Sequence, residues 1–318
     1  MNLAYYSSLA MVTATVIYLV ALTAHAAEWA SARRVDAGPS TTDGSPAASA
    51  ATSSTAGTAA RRDRIAADLT RVDRFGRMGL ALTAVGAALH VAGVVLRGLA
   101  AGRPPWGNMY EFVSSTLAIL VVGYLVLVWL GKMRWLGLPV TLLLSVGLGL
   151  AVTVFYVAVA PLVPALHSVW FVIHIIAAAT AGAMFNVGGL ASVLYLLRTR
   201  AERRGTVRGY VVRLPQPEVL DRVAYRAVAF AFPLWTFTIA AGSIWAEYAW
   251  GRYWGWDPKE TWSLVTWVVY AAYLHARATA GWKGRRAAWL GVVGVAMFWW
   301  NFVGINLLVS GLHSYAGI

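Results

Sequence analysis

Eight long apolar runs dominate this sequence, at 4–24, 77–97, 111–130, 136–157, 168–197, 225–245, 262–280 and 287–310. About 20 mostly apolar residues are needed to cross roughly 30 Å of hydrocarbon as a helix. A lone span in lipid must satisfy its backbone within itself, so each run is expected to be helical. The expected fold is therefore all-α, a polytopic membrane helical bundle of about eight transmembrane helices. Only 12% of the 318 residues are charged, where soluble chains run near a quarter, and 59% are hydrophobic. With no cysteine at all, disulfide scaffolds, zinc-thiolate sites, iron–sulfur clusters and a CxxC redox pair are excluded. Ala24-His25-Ala26 resembles a signal-peptide cleavage site, but the preceding segment lacks the positively charged start of one.

The net charge of +13 would suggest nucleic acid in a soluble chain, but its placement gives another meaning. Of the 26 basic residues, all but Arg97, Arg103, Arg252 and Lys259 fall on one side of the spans, in alternate loops. That asymmetry is the positive-inside pattern, and it puts both termini outside the cytoplasmic membrane. The expected location is the inner (cytoplasmic) cell membrane, multi-pass, with a weak attraction to anionic membrane lipid and no nucleic-acid partner. Residues 36–60 form a Gly/Pro/Ser/Thr/Ala tract without a large apolar side chain, too poor in buriable surface to offset its ordering entropy. The chain thus divides into a first transmembrane helix (1–27), a disordered cytoplasmic linker (28–73) and a membrane domain (74–318).

Six of the 16 tryptophans fall in residues 245–267, a loop that the charge pattern puts at the extracytoplasmic surface. An aromatic belt at a bilayer interface accounts for two or three such rings. It does not account for Trp245, Trp250, Trp254, Trp256, Trp262 and Trp267 crowded about Gly251 and Gly255. Glycine between large rings lets a backbone approach closely, which suits a flat, apolar ligand with its polar edge toward Arg252 or Lys259. Asp257-Pro258-Lys259-Glu260 reads as a capping box, with Asp at the N-cap, Pro first and Glu third in the helix.

Three of the six histidines map to the outer face. His167 and His174 are seven apart at the start of the fifth run, hence expected on one helix face. His313 follows the eighth run. Neutral imidazoles flanking an aromatic loop suggest axial ligation of a haem iron, while no carboxylate or thiolate completes an evident zinc set. His275 is expected in the inner half of the bilayer, where an ionisable side chain is costly and usually functional. For His90 an interhelical hydrogen bond is expected, and the same holds for Asn186 and Asn301. Asn306 lies seven before His313, on the same face if that helix continues.

The run Trp250-Gly251-x-x-Trp254-x-Trp256-Asp257-Pro258-Lys259-Glu260-Thr261-Trp262 resembles the tryptophan-rich (WWD) signature of haem-handling proteins in cytochrome c assembly. Tyr273-Leu274-His275, the C-terminal Gly304-Ile305-Asn306 and Gly311-Leu312-His313-Ser314-Tyr315, Pro105-x-x-Asn108-x-Tyr110-Glu111 and Trp170-x-x-x-His174 are similar to the integral-membrane subunit of the system II cytochrome c synthase. The likeness covers roughly residues 90–318, making 74–318 a cytochrome c assembly domain.

The resemblance implies a cytochrome c biogenesis role as a subunit of a holocytochrome c synthase, or haem lyase. It implies haem b as substrate, with His174 and His313 as axial iron ligands and His167 as an alternative. Trp250, Trp254, Trp256, Asp257, Lys259 and Trp262 would cradle the haem, and His275 would lie on its route outward. It further implies a second synthase subunit with an extracytoplasmic domain, and apocytochrome c, whose CxxCH thiols add to the haem vinyl groups. No side chain of this chain is assigned a catalytic role beyond presenting haem. A haem transporter without ligation activity is the competing reading.

Overall fold

A computed structural model describes residues 2–36, 54–131, 133–207 and 210–313. Among the described residues there is no strand, and the chain is a helical bundle. Its helices are α1 (Leu3–Asp36), α2 (Ser54–Ala101), α3 (Met109–Trp129), α4 (Gly137–Thr153), α5 (Val169–Arg203), α6 (Tyr210–Arg213), α7 (Pro217–Trp250), α8 (Pro258–Ala278), α9 (Arg285–Trp299) and α10 (Ile305–Leu308). A π-helical turn, Trp300–Gly304, joins the last two.

Among the described residues, seven helices are long and apolar enough to cross a membrane: Leu3–Ala32, Ile65–Ala101, Met109–Trp129, Arg134–Thr153, Val169–Arg203, Pro217–Trp250 and Arg285–Leu308. The chain is a multi-pass membrane protein. The eighth expected span is present as α8, 21 residues long, but it is not among those seven. Lys259 and Glu260 in its first turn and His275 and Arg277 in its last dilute its hydropathy. The expected linker 28–73 is helical at both ends, because α1 runs to Asp36 and α2 begins at Ser54. Alanine-rich sequence and the i,i+3 and i,i+4 pairs Asp68–Arg71 and Asp73–Arg77 favour helix there. The middle of the linker, 37–53, lies outside the described residues.

The long helices alternate in direction. Near one end the Ser7 hydroxyl at the start of α1 donates to Gly93 O late in α2, at 2.7 Å. Near the other, the buried His25 ring packs where Cβ atoms on Gly79 and Gly137 would stand, so only glycine lets α2 and α4 close on α1. This second end carries the ion pairs Glu28–Arg213, Arg198–Glu202 and Asp221–Arg277.

Among the described residues, two large cores and two smaller clusters fill the bundle. Tyr18, Val121, Leu144 and Leu148 centre one among α1–α4. Phe185 and Tyr270, stacked at 3.7 Å and 4°, centre the other among α5, α7, α8 and α9. As expected, His90 bridges helices: its Nε2 meets Ser114 O of α3 at 2.9 Å and its Nδ1 meets the Tyr18 hydroxyl of α1 at 3.3 Å. Asn186 accepts from Trp299 Nε1 at 2.8 Å, and Asn301 donates to Ser263 Oγ at 3.1 Å, so both also link helices.

Candidate functional site

The two cores leave between them a cavity of about 240 Å³. It is walled by α3 and α4 on one side and by α5, α7, α8 and the last helical segments on the other. Its deep wall is apolar and small: Gly147, Ala178, Ala179, Gly182 and Ala183. Its upper part holds Trp106, His174, Trp245, Trp254, Lys259 and His313.

Each histidine is oriented from behind. His174 sits in the second turn of α5, a helix opened by Ser168, whose hydroxyl caps Trp170 N at 3.2 Å. Its Nδ1 lies 2.9 Å from Thr238 O of α7. A carbonyl can only accept, so Nδ1 carries the proton and Nε2 keeps its lone pair. His313 lies beyond α10 on non-helical chain, with its Nδ1 2.9 Å from Asp257 Oδ1. An ionised carboxylate selects the same tautomer. Both rings lean on one indole: Trp245 is 5.7 Å from His174, nearly stacked at 26°, and 5.6 Å from His313. Trp245 is fixed in turn by its Nε1 bond to Ala165 O at 2.8 Å. Trp250 adds an edge contact to His313 at 4.9 Å.

Asp257 has three simultaneous tasks. Its Oδ1 accepts Lys259 N at 3.0 Å as the N-cap of α8, its Oδ2 accepts Leu312 N at 2.7 Å, and it holds His313. Glu260 completes the expected capping box by accepting Asp257 N at 3.1 Å and Gly255 N at 2.8 Å. Burial raises the Asp257 carboxyl, but the hydrogen bond from His313, the Leu312 N–H, the His313 charge and the Lys259 N–H outweigh it and bring it down to about 2. Lys259 donates its ammonium to Asn301 O at 2.8 Å, in the π-helical turn where the regular carbonyl pairing is broken. Arg252 is engaged by Glu260 at 3.1 Å. Of the two cations expected at a ligand's polar edge, Lys259 lines the cavity and Arg252 does not.

The structure gathers His174, His313, Trp250, Trp254, Asp257 and Lys259 at or directly behind the cavity. Three others expected at the ligand, His167, Trp256 and Trp262, do not line it, and His275, expected on the route and not at the cavity, lies elsewhere. His167 is exposed and precedes α5, on a short 3₁₀ turn begun by Pro164, so it shares no helix face with His174. Trp256 is 68% exposed, with a left-handed φ of 57°, and does not line the cavity. Trp262 packs edge-on against Trp300 at 5.7 Å. His275 is exposed in the last turn of α8, at the opposite end of the bundle. The helix also stops at Leu308, so Asn306 and His313 do not share a helix face, although both line the cavity. Sequence reading missed the shared backstop Trp245, which it counted but gave no role, and the cavity residue Trp106. The signal for Trp245 was its place three residues after Gly242 and four after Ala241, on the α7 face that meets His174.

Fold and site together define an integral-membrane helical bundle with a paired-imidazole cavity under an aromatic loop. The chain belongs to the cytochrome c assembly protein family, whose model matches residues 78–313. It is similar to the cytochrome c biogenesis protein CcsA of Picosynechococcus sp., 34% identical over 276 residues that cover 69% of this chain and 82% of that protein. The CcsA of Gloeobacter violaceus is 33% identical over 304 residues, covering 79% of this chain and 90% of the relative. That of Microcystis aeruginosa is 35% identical over 286 residues, covering 74% and 87%.

Proposed function

We propose that this protein binds haem in the cavity between His174 and His313 and presents it for covalent attachment to the CxxCH segment of apocytochrome c. The observation that carries the reading is the pair of fixed tautomers: Thr238 O and Asp257 each hold an Nδ1 proton, leaving two Nε2 lone pairs at one apolar cavity. Iron ligation needs neutral imidazole with a bare nitrogen, and an orienting partner on the other nitrogen strengthens it. The donor set also argues against a bare metal ion, since no group of three His, Cys, Asp or Glu among the described residues could hold one.

Haem b is the substrate, and the apolar wall with Trp254 and Lys259 suits a flat ring bearing carboxylates. Each apocytochrome thiol adds across a vinyl double bond. Sulfur bonds one vinyl carbon and the thiol hydrogen goes to the other, so no oxidant or reductant is consumed. The chain's own residues orient the ring and exclude water, and a second synthase subunit with an extracytoplasmic domain supplies the docking for apocytochrome c. The histidine end of the bundle is then the extracytoplasmic face of the cytoplasmic membrane. His275, remote from this cavity, belongs to the route by which haem arrives.

The test is co-expression with that subunit and an apocytochrome reporter. His174→Ala and His313→Ala should each lower haem absorbance of the purified chain and the yield of covalent cytochrome. Unchanged haem and yield in both variants would overturn the assignment. The downward extension of the cavity along α5 to Asn186 favours a transporter as second reading. Normal thioether formation on externally supplied haem, without transport, separates the two.

A further inference from the structure

The loop that precedes α3 repeats the construction of the loop that precedes α8. Arg103-x-x-Trp106-Gly107-Asn108-x-x-Glu111 and Arg252-x-Trp254-Gly255-x-Asp257-x-x-Glu260 each place an arginine first, a capping Asn or Asp sixth and a glutamate ninth, with Trp-Gly between. The geometry matches the spelling. Arg103 pairs with Glu111 at 2.7 Å, as Arg252 pairs with Glu260 at 3.1 Å. Glu111 accepts Gly107 N at 2.8 Å, as Glu260 accepts Gly255 N at 2.8 Å. In each loop the guanidinium of that loop's arginine lies against the glycine, where a Cβ would displace it, so both loops use the same close approach. Asn108 caps Glu111 N at 2.9 Å, as Asp257 caps the start of α8. Trp106 and Trp254 both line the one cavity, from the α3 side and from the α8 side.

We infer that the Arg103–Glu111 loop is a second jaw of the substrate site, in which Trp106 contacts the face or edge of the flat ligand and Glu111 is the positioning residue that holds it. The inference rests on the proposed haem-binding reading and deepens it. The second clamp is anchored more firmly than the first. Glu111 is 1% exposed and takes a second guanidinium, Arg97, at 2.9 Å, while Arg97 and Arg103 also reach Val157 O and Ala160 O at 2.6 and 3.2 Å. Trp106 packs on the cluster built from Leu166, Phe171 and Trp245, so it is tied to the backstop of both imidazoles. A ring held against a flat ligand contributes contact area and stacking that a branched aliphatic of similar bulk does not reproduce.

The experiment is a haemin titration of the purified full chain and its variants, with circular dichroism and gel filtration as checks of folding. Trp106→Leu should weaken haem retention roughly two- to tenfold while Trp106→Phe keeps most of it, the size expected for one aromatic contact. Glu111→Gln should weaken retention too, and in the Trp106→Leu background it should add little, because it acts through Trp106. Where Glu111→Gln fails to fold, the Phe-against-Leu comparison at Trp106 decides alone. Full retention in Trp106→Leu, with loss in Trp254→Leu, would overturn the second jaw and leave the haem site standing. No loss in Trp254→Leu, His174→Ala or His313→Ala would bring down the site and the jaw together.

Discussion

Asp257 is the residue on which cap, tether and tautomer converge, and its chemistry can be read by acid. Its folded-state carboxyl lies near 2, below the roughly 3.9 of an unfolded aspartate. The contribution it makes to stability is therefore fully present above about pH 4 and is lost as pH falls through its folded value near 2. A carboxyl-labelled carbon at Asp257 should show no protonation in a titration from pH 7 to 4. A midpoint near 4 would mean that the carboxylate is not held by His313 and Leu312. Asp257→Asn keeps the shape but no longer prefers the Nδ1–H tautomer of His313. It should reduce haem affinity by about 10- to 100-fold, the range seen for orienting partners of metal ligands, and haemin titration would measure it.

At the scale of elements, helix starts carry the site. α3 and α8 both begin at the cavity, each with a side-chain cap and a glutamate in its first turn. Asn108→Ala should cost about 1 kcal/mol of stability, the usual worth of a cap, and a shift in thermal unfolding in detergent would show it. At the opposite end Arg277 clamps Asp221 through two bonds of 2.7 and 2.8 Å, joining α7 to α8. Arg277→Ala leaves that carboxylate without its cation and should cost roughly 3 kcal/mol, readable in the same melt. These two ends also show what sequence could and could not convey. The apolar runs located the helices because period and length are local properties, and the capping box at Asp257 was spelled within four residues. His167 went astray because spacing alone does not reveal that Ser168, and not an earlier residue, opens α5. Trp256 faces away from the cavity for a related reason. Residue type signals chemistry, but the direction a side chain faces is decided by packing between segments far apart in the chain.

The whole molecule is two helical cores with the cavity between them, and that division explains why its wall is built of small residues. Gly182 and Gly147 face Phe298 and Leu117 so closely that a Cβ on either would stand under 3 Å from the facing side chain. Gly182→Leu should therefore narrow the cavity or spread the two cores. Loss of haem binding with an unchanged melting temperature would indicate narrowing alone. The paired imidazoles stand on α5 and beyond α10, braced from α7 and α8. No single helix could have revealed this arrangement by its own pattern.

Because His313 follows α9 and α10 and is held by Asp257 at the start of α8, it joins the proposed ligand pair only after α9 is threaded. A chain still emerging from the ribosome, with α5 inserted and α9 not yet threaded, presents one imidazole and half a wall. On the proposed reading, such an intermediate lacks the second imidazole for a reactive iron porphyrin until α9 and the segment beyond it are in place.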